Sequence, residues 1–288
     1  MTQPVFLAVE TGGTKIVWRI EDQAGAVLDQ GRFPTGAPEA ALEALVAAVG
    51  GRPVAAVGVA SFGPLIVDPA SPRRGEMLAT PKAGWAGYNL AQALGRAFDA
   101  PFSVDTDVNA AALAEARIGA GQGARAVAYV TVGTGIGGGL HVDGATLKGA
   151  LHPEIGHLFV HRAEGDDQPS ACPFHKSCVE GLAAGPAVQA RLSGRRLEDA
   201  PEVMAFVADY LGQLVAGLVF AWAPDRIVFG GGVMGTPGLI AQVERQARRW
   251  VAGYGSSILM GEGGYLVAAS LPDAGLEGAM LMARRLVA

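Results

Sequence analysis

The chain has 288 residues, of which 50% are hydrophobic and 17% are charged, with a formal net charge of −5. This length predicts two compact domains, the apolar share excludes a disordered chain, and the acidic balance argues against a nucleic-acid-binding surface. No basic region precedes the first apolar residues, so no signal peptide is expected. The longest apolar stretch, residues 211–224, is too short to cross a membrane and predicts a buried helix. We therefore expect a cytoplasmic protein without membrane or nucleic-acid partners.

The N-terminal half begins with a strand, a glycine turn and a second strand. Residues 5–9 and 16–20 are apolar runs, and Glu-Thr-Gly-Gly-Thr-Lys at residues 10–15 lies between them. The strand predicted from residue 102 runs into two acidic residues, Asp105 and Asp107. Asn109 is expected to cap the helix that follows. The other predicted elements are a helix over residues 39–49, a strand over 54–60, a helix over 88–98, a strand from 102 and a helix over 110–118.

The C-terminal half opens in the same way, with a strand over 127–132, a glycine turn over 133–139 and a strand over 140–142. Two such hairpins predict an internal structural duplication. The expected domains are residues 1–118 and 119–288, with the final helix, residues 276–287, packing back on the N-terminal domain. The other predicted elements are an irregular stretch over 158–180, a long helical region that follows it and runs through 222, a strand over 226–229 and a helix over 239–250.

Three glycine clusters follow three of these strands. Exposed N–H groups in such turns form anion-binding concavities, although each cluster alone is equally consistent with a simple tight turn. Gly133, Gly135 and Gly138 fit the spacing of the dinucleotide fingerprint, but that motif opens a helix and a strand is predicted here. A P-loop is excluded because the chain has no Gly-Lys-Ser or Gly-Lys-Thr triplet.

Five motifs, in the family's order, resemble the ROK sugar kinases. The resemblance implies an α/β protein with the actin-like ATPase (ribonuclease H-like) fold, in which two α/β domains bind ATP and sugar in an interdomain cleft. It also implies a homodimer. The motifs are residues 10–15, 107–115, 132–139, 154–157 and 230–232.

The resemblance implies that the first two glycine turns bind the phosphates of ATP and that the third lies near the adenosine. Most of the family has Asp where this chain has Glu10. The longer side chain shifts the carboxylate but leaves it available to a magnesium-bound water, and Glu is the form of the fructokinase branch. The predicted nucleotide-binding residues are Glu10, Gly12, Gly13, Thr14, Lys15, Gly133, Thr134, Gly135, Gly137, Gly230, Gly231 and Gly232.

Phosphoryl transfer requires a base for the attacking hydroxyl, and Asp107 is the predicted base. Asp105 is its alternative, because residues two apart in a strand share one face. The family pattern aligns Asp107 with the catalytic Asp. A helix-capping role for Asp107 is the other interpretation. Thr106 stands where the glucokinase branch has Asn, which argues against glucose as the preferred sugar.

Hydroxyl groups of a sugar donate as well as accept hydrogen bonds, so carboxylates and an imidazole suit their recognition. The resemblance implies the substrate ligands Thr106, Asp107, Glu154, His157 and Glu180. Glu180 could alternatively stabilise a helix N-terminus. Residues 80–85, Thr-Pro-Lys-Ala-Gly-Trp, resemble the fructokinase branch and are expected beside the sugar entrance, without an assigned role.

His157, Cys172, His175 and Cys178 offer two imidazoles and two thiolates, which suit a closed tetrahedral zinc site. A closed site predicts a structural rather than a catalytic Zn2+. If one nitrogen of His157 binds the metal, the other can face the sugar. The alternative is two incidental buried thiols and two surface histidines. The Cys-Pro-Phe-His sequence at residues 172–175 resembles the fructokinase branch.

The predicted reaction is transfer of the γ-phosphoryl group of ATP to the 6-hydroxyl of D-fructose, with Mg2+. A glucokinase, mannokinase or amino-sugar kinase of the same family is the alternative. A ROK repressor is disfavoured because the first core strand begins near Val5, which leaves no room for a helix-turn-helix. A sugar-binding protein without turnover is disfavoured because Asp107 and both phosphate turns are retained.

Overall fold

The computed structural model describes residues 3–261 and 263–288, and its internal contacts divide the chain into two compact units. Unit 1 comprises the described residues of Met1–Ala114, Thr146–Pro153 and Leu271–Ala288, and unit 2 those of Glu115–Ala145 and Glu154–Ser270. The strands described are β1 (Val5–Thr11), β2 (Lys15–Glu21), β3 (Val27–Pro34), β4 (Val54–Ser61), β5 (Phe102–Thr106), β6 (Ala126–Val132), β7 (Ile136–Val142), β8 (Ala145–Thr146), β9 (Arg226–Gly230) and β10 (Leu266–Ala268). The helices are α1 (Pro38–Val49), α2 (Leu90–Phe98), α3 (Asp107–Ile118), α4 (Val179–Ala183), α5 (Gly185–Leu192), α6 (Pro201–Ala221), α7 (Leu239–Val251) and α8 (Ala274–Arg284).

Unit 1 is built on a five-stranded mixed sheet in the order β3-β2-β1-β4-β5. β1 pairs antiparallel with β2 and parallel with β4, and β4 pairs parallel with β5. Helices α1 and α2 pack on one face of this sheet and α8 packs on the other, so β1 is an apolar run without alternation. The backbone of α8 lies close to β4 at Gly58, where an added Cβ would overlap the Ala279 carbonyl.

The second sheet has the same connectivity as the first. Its order is β8-β7-β6-β9-β10, with β6 antiparallel to β7 and parallel to β9, and β9 parallel to β10. The first strand of each sheet therefore lies at the centre, and the hairpin follows it directly in both. This match of strand order and direction confirms the predicted internal duplication.

Helix α6 forms the centre of the apolar core of unit 2. It is the one helix in the described ranges that is long and apolar enough to span a membrane, with a mean hydropathy of 1.8 over its most apolar window. That window is 67% buried, and Tyr210, Leu211 and Leu214 pack within the core. The prediction of a buried helix is confirmed.

Two predictions of local structure need correction, and one long strand was not predicted. Helix α3 begins at Asp107, and its cap is Thr106, whose Oγ1 accepts the Asn109 N–H at 3.1 Å; Asn109 therefore lies inside the helix. The second glycine turn ends at residue 135, because β7 begins at Ile136 and its glycines pair with β6. Strand β3 has no counterpart among the predicted elements, because its mostly exposed side chains lack an apolar pattern.

Candidate functional site

The first glycine turn joins β1 to β2 in unit 1. The Gly12 N–H donates to the Lys15 carbonyl at 2.8 Å, and the Thr35 hydroxyl donates to the Gly12 carbonyl at 2.7 Å. Within the described ranges, the N–H groups of Gly13 and Thr14 donate to no protein acceptor. Unpaired N–H groups in an exposed turn can bind an anion such as a phosphate.

The Glu10 carboxylate lies at the N-terminus of α8, where it accepts a hydrogen bond from the Leu276 N–H. A Cβ added to Gly275 would lie 2.7 Å from Glu10 Cδ, so only glycine permits this close approach. Burial raises the pKa of Glu10 and the nearby Asp273 raises it further, whereas Lys15 and the Leu276 N–H oppose the rise. The carboxylate is therefore held between a helix N-terminus and a second acidic group.

Asp105, the alternative base, is buried at the end of β5 and is surrounded by donors. Its Oδ1 accepts from the Thr106 N–H at 2.9 Å and from Asn109 Nδ2 at 2.8 Å. Its Oδ2 accepts from Thr146 Oγ1 at 2.7 Å and forms an ion pair with Lys148. A carboxylate with four donors is a structural element, and no sequence motif indicated its partners in residues 146–148.

Asp107 differs from Asp105 in exposure. It is the first residue of α3 and is half-buried, and its Oδ1 accepts the N–H of the following residue, Val108, at 2.9 Å. Thr106 is buried and its hydroxyl is the helix cap described above. Of the two acidic residues, Asp107 is the one that a ligand can reach.

The second glycine turn joins β6 to β7 in unit 2. The Gly133 N–H donates to the Gly135 carbonyl at 2.9 Å, and the Gly185 N–H at the start of α5 donates to the Gly133 carbonyl at 2.7 Å. Glu180 Oε2 accepts the Ile136 N–H at 3.0 Å. A Cβ on Gly135 would lie 2.7 Å from that oxygen. Glu180 therefore borders this turn as well as belonging to the predicted sugar ligands.

The third glycine cluster lies against the end of β6. Gly230 ends β9, and Gly232 begins a short 3-10 helix. Gly231 has a φ of 88°, and a Cβ there would overlap the Val132 carbonyl. Glycine satisfies both requirements, the left-handed conformation and the close approach. The second and third clusters are therefore neighbours within unit 2, and Gly137 lies in β7.

The four predicted metal ligands converge, since the donor atoms of His157, Cys172, His175 and Cys178 all lie within 4.8 Å of one another. Cys172 Sγ is 3.7 Å from His175 Nδ1 and 4.0 Å from His157 Nδ1. Zinc bonds of about 2.3 Å to sulfur and 2.0–2.1 Å to nitrogen give a tetrahedral edge of roughly 3.6 Å. Burial raises the pKa of the Cys178 thiol to about 11. The donor set and its spacing fit a closed tetrahedral metal site.

The loop over residues 158–178, which carries three of these ligands, is also anchored by a buried ion pair. Asp166 accepts hydrogen bonds from Arg191 Nη2 at 2.7 Å and from Tyr210 Oη at 2.5 Å. Burial raises the pKa of Asp166, but the hydrogen bonds of Arg191 and Tyr210 outweigh it and leave the pKa below its usual value. The sequence did not indicate this network, because Arg191 and Tyr210 are 25 and 44 residues away.

Glu154 precedes a 3-10 turn, Ile155–His157, which ends at His157 and lies directly on β7. A Cβ on Gly156 would overlap the Ile136 carbonyl, so the turn can approach the strand only with glycine at this position. His157 Nδ1 is the nitrogen near Cys172, which leaves Nε2 for another ligand. Glu154 is exposed.

The predicted site residues thus form two groups. Unit 1 carries the first glycine turn, Glu10 and Asp107, and unit 2 carries the other glycine clusters, the metal ligands, Glu154 and Glu180. Each sheet has a glycine turn after its central strand, an arrangement typical of phosphate-binding proteins of the actin-like class.

Comparison with solved structures agrees with this class. The ROK hexokinase of Thermus thermophilus superposes with a TM-score of 0.79 at 30% identity, covering 98% of this chain and 99% of that one. The ROK glucokinase of Streptomyces griseus, solved with glucose and AMPPNP, superposes with a TM-score of 0.75 at 26% identity, with the same coverage. The predicted actin-like ATPase fold is confirmed.

The chain belongs to the ROK family, which matches residues 6–286. Relatives named fructokinase are 34–39% identical to it. The fructokinase of Pediococcus pentosaceus is 36% identical over 281 residues, which is 96% of each chain. The predicted family is confirmed.

Proposed function

We propose that this protein transfers the γ-phosphoryl group of ATP to the 6-hydroxyl of D-fructose. The observation that carries the proposal is the near full-length similarity to a fructokinase, combined with the complete and ordered set of ROK motifs. We infer a cytoplasmic enzyme that acts as a homodimer, in keeping with the resemblance to the ROK kinases.

Asp107 is the proposed base. Its half-buried position lets a sugar hydroxyl approach, and its carboxylate can accept the proton that the 6-hydroxyl loses as the oxygen attacks phosphorus. Asp105 is a poor base by comparison, because its two oxygens already accept from four donors, one of them the Lys148 ammonium. Thr106 is buried and its hydroxyl oxygen caps α3, so its proposed contact with the sugar would use the hydroxyl hydrogen.

The glycine turns are the proposed phosphate-binding elements. The unpaired N–H groups of Gly13 and Thr14 fit a phosphate, and the second turn and the Gly230–Gly232 cluster supply further backbone close to one another within unit 2. Magnesium, when bound, neutralises negative charge on the phosphates. Glu10 would hold a water of that ion, and Lys15 adds positive charge beside the turn.

Glu154, His157 and Glu180 are the proposed sugar ligands of unit 2. Glu180 Oε2 accepts a backbone N–H, which orients the side chain and leaves Oε1 for a sugar hydroxyl. A structural zinc ion on Nδ1 of His157 would fix the tautomer of the ring, with Nε2 directed to the sugar.

The experiment that tests the function is ADP release from ATP and magnesium with D-fructose, followed by NMR of the isolated product. We expect phosphorus coupling at carbon 6 of the ketose. Glucose is included in the same assay, because the similar Streptomyces griseus protein was solved with glucose. Absence of ADP release with every hexose contradicts the proposal, and light scattering that gives a single chain mass contradicts the dimer.

A further inference from the structure

Residues 80–85 have no role in the reaction as proposed, yet they are firmly anchored in unit 1. Trp85 is 1% exposed, and its Nε1 donates to the Gly36 carbonyl at 2.8 Å. Its ring makes edge contacts with Phe62 and Tyr88, at centroid distances of 5.3 and 6.3 Å. The Trp85 N–H also donates to the Lys82 carbonyl at 3.2 Å, so the backbone of Lys82 is held by a buried aromatic residue.

The side chain of Lys82 extends to the first glycine turn. A Cβ built on Gly13 would lie 3.9 Å from Lys82 Cε, and the ammonium is one C–N bond, about 1.5 Å, beyond that atom. Lys82 is half-buried. In the described ranges it forms no ion pair, whereas Lys148 is paired with Asp105. The ammonium therefore has no carboxylate partner among the described residues, and its positive charge is available to an anion.

The unpaired N–H groups of Gly13 and Thr14 and the ammonium of Lys82 together form a cluster of donors without an acceptor. We propose that Lys82 binds the γ-phosphoryl group of ATP at the first glycine turn, an inference that rests on the proposed kinase function. An ammonium has three donors and no acceptor, which suits a phosphoryl group better than sugar hydroxyls that also donate. The same charge would stabilise the equatorial oxygens during transfer.

Nucleotide binding by titration calorimetry separates the γ-phosphoryl group from the rest of ATP. We compare AMPPNP with ADP, both with magnesium, on the wild type and on Lys82→Met. The variant should lose on the order of 10- to 100-fold in affinity for AMPPNP, the range of a hydrogen bond to a charged group, and less than about twofold for ADP. Arg96→Met removes an exposed cation of the same unit and should change neither affinity.

Turnover supplies the second measurement. Lys82→Met should lower kcat by at least tenfold with an unchanged KM for fructose, and Lys82→Arg, which keeps the charge, should recover part of kcat. If Lys82→Met lowers the melting temperature, the same affinity and turnover measurements are made on Lys82→Gln.

An unchanged ratio of AMPPNP to ADP affinity overturns the proposal. A raised KM for fructose without any other change also overturns it and assigns Lys82 to the sugar. The binding arm requires no turnover. If the wild type fails to phosphorylate fructose while Lys82→Met shows the predicted loss of AMPPNP affinity, the proposed substrate is contradicted and the role of Lys82 is supported.

Discussion

Asp105 and Asp107 are two residues apart and were equivalent candidates by strand geometry, but their surroundings differ. Asp107→Asn is nearly isosteric and cannot accept a proton. We expect kcat to fall on the order of 10²–10⁴-fold, with KM for fructose changed little. Steady-state kinetics on fructose measure both values. A variant that keeps more than about a tenth of the wild-type rate contradicts the assignment of the base.

Asp105→Asn is the matched control, and it should act on stability. It removes one member of a buried ion pair with Lys148, a change that typically costs about 3–5 kcal/mol of unfolding free energy. Chemical denaturation should show this loss. We expect folded Asp105→Asn protein to show the same pH profile of kcat as the wild type, because the proposed base, Asp107, is unchanged. Loss of turnover in a normally stable Asp105→Asn protein would make Asp105 the base.

Gly275 and Glu10 form a second pair that can be tested residue by residue. Gly275→Ala places a Cβ 2.7 Å from Glu10 Cδ, so the carboxylate must move and the concentration of magnesium needed for half-maximal rate should rise. Glu10→Asp shortens the side chain by one methylene and withdraws the carboxylate from the added Cβ. The double variant, Glu10→Asp with Gly275→Ala, should therefore need less magnesium than Gly275→Ala alone. Gly217→Ala in α6 should be neutral or stabilising, because outside the local helix backbone no atom would lie within 4 Å of the added Cβ. Additive effects of the two substitutions contradict the contact.

At the scale of elements, the loop over residues 158–178 combines predicted metal ligands with the Asp166 network, which was not predicted. Cys172→Ser, Cys178→Ser and His175→Ala should each lose the metal, which we expect at about one zinc per chain, and lower the melting temperature. His157→Ala should in addition weaken fructose binding. His161→Ala removes an exposed histidine outside the cluster and should retain the metal. Elemental analysis measures the zinc content of each variant. Metal-free protein with normal stability and activity would contradict the proposed metal site.

The Asp166 network predicts a pH dependence of stability. Because the pKa of Asp166 is lowered in the folded protein, its contribution is present above the unfolded pKa near 4 and is lost as pH falls through the folded value. Asp166→Asn should therefore lower the melting temperature at neutral pH and flatten its decline below about pH 5. The control is Asp167→Asn at the exposed neighbouring residue, which should leave the decline of the melting temperature at acidic pH unchanged. If the melting temperatures of the wild type and Asp166→Asn decline identically at acidic pH, this role of Asp166 is contradicted.

Elements and ligands with local signals could be predicted from the sequence. The strand–glycine–strand hairpins are local patterns, and three of the four predicted metal ligands, Cys172, His175 and Cys178, are close neighbours in the chain. The start of α3 was misplaced because Thr106 and Asn109 are both good caps, and only the hydrogen bond between them decides. Strand β3 and the donors around Asp105 depend on tertiary contacts that leave no periodic pattern in the sequence.

At the scale of the whole molecule, the duplicated sheet topology and the ROK family explain why glycine turns follow the central strand of each sheet. The substrate is a finer property than the fold. Each hydroxyl left unpaired in a site built for another isomer costs roughly 1–3 kcal/mol, so a few ligands are enough to select one hexose.

The value of kcat/KM for a panel of fructose, glucose, mannose and N-acetylmannosamine, measured with one enzyme preparation, tests the proposed function most directly. Fructose presents its 6-hydroxyl on a five-membered ring, so a base placed for it should reach that of a pyranose poorly. We predict that fructose leads the panel, with mannose a weak alternative. A preference of tenfold or more for glucose or N-acetylmannosamine would contradict the fructokinase assignment, while turnover of any of these sugars would leave the kinase assignment in place.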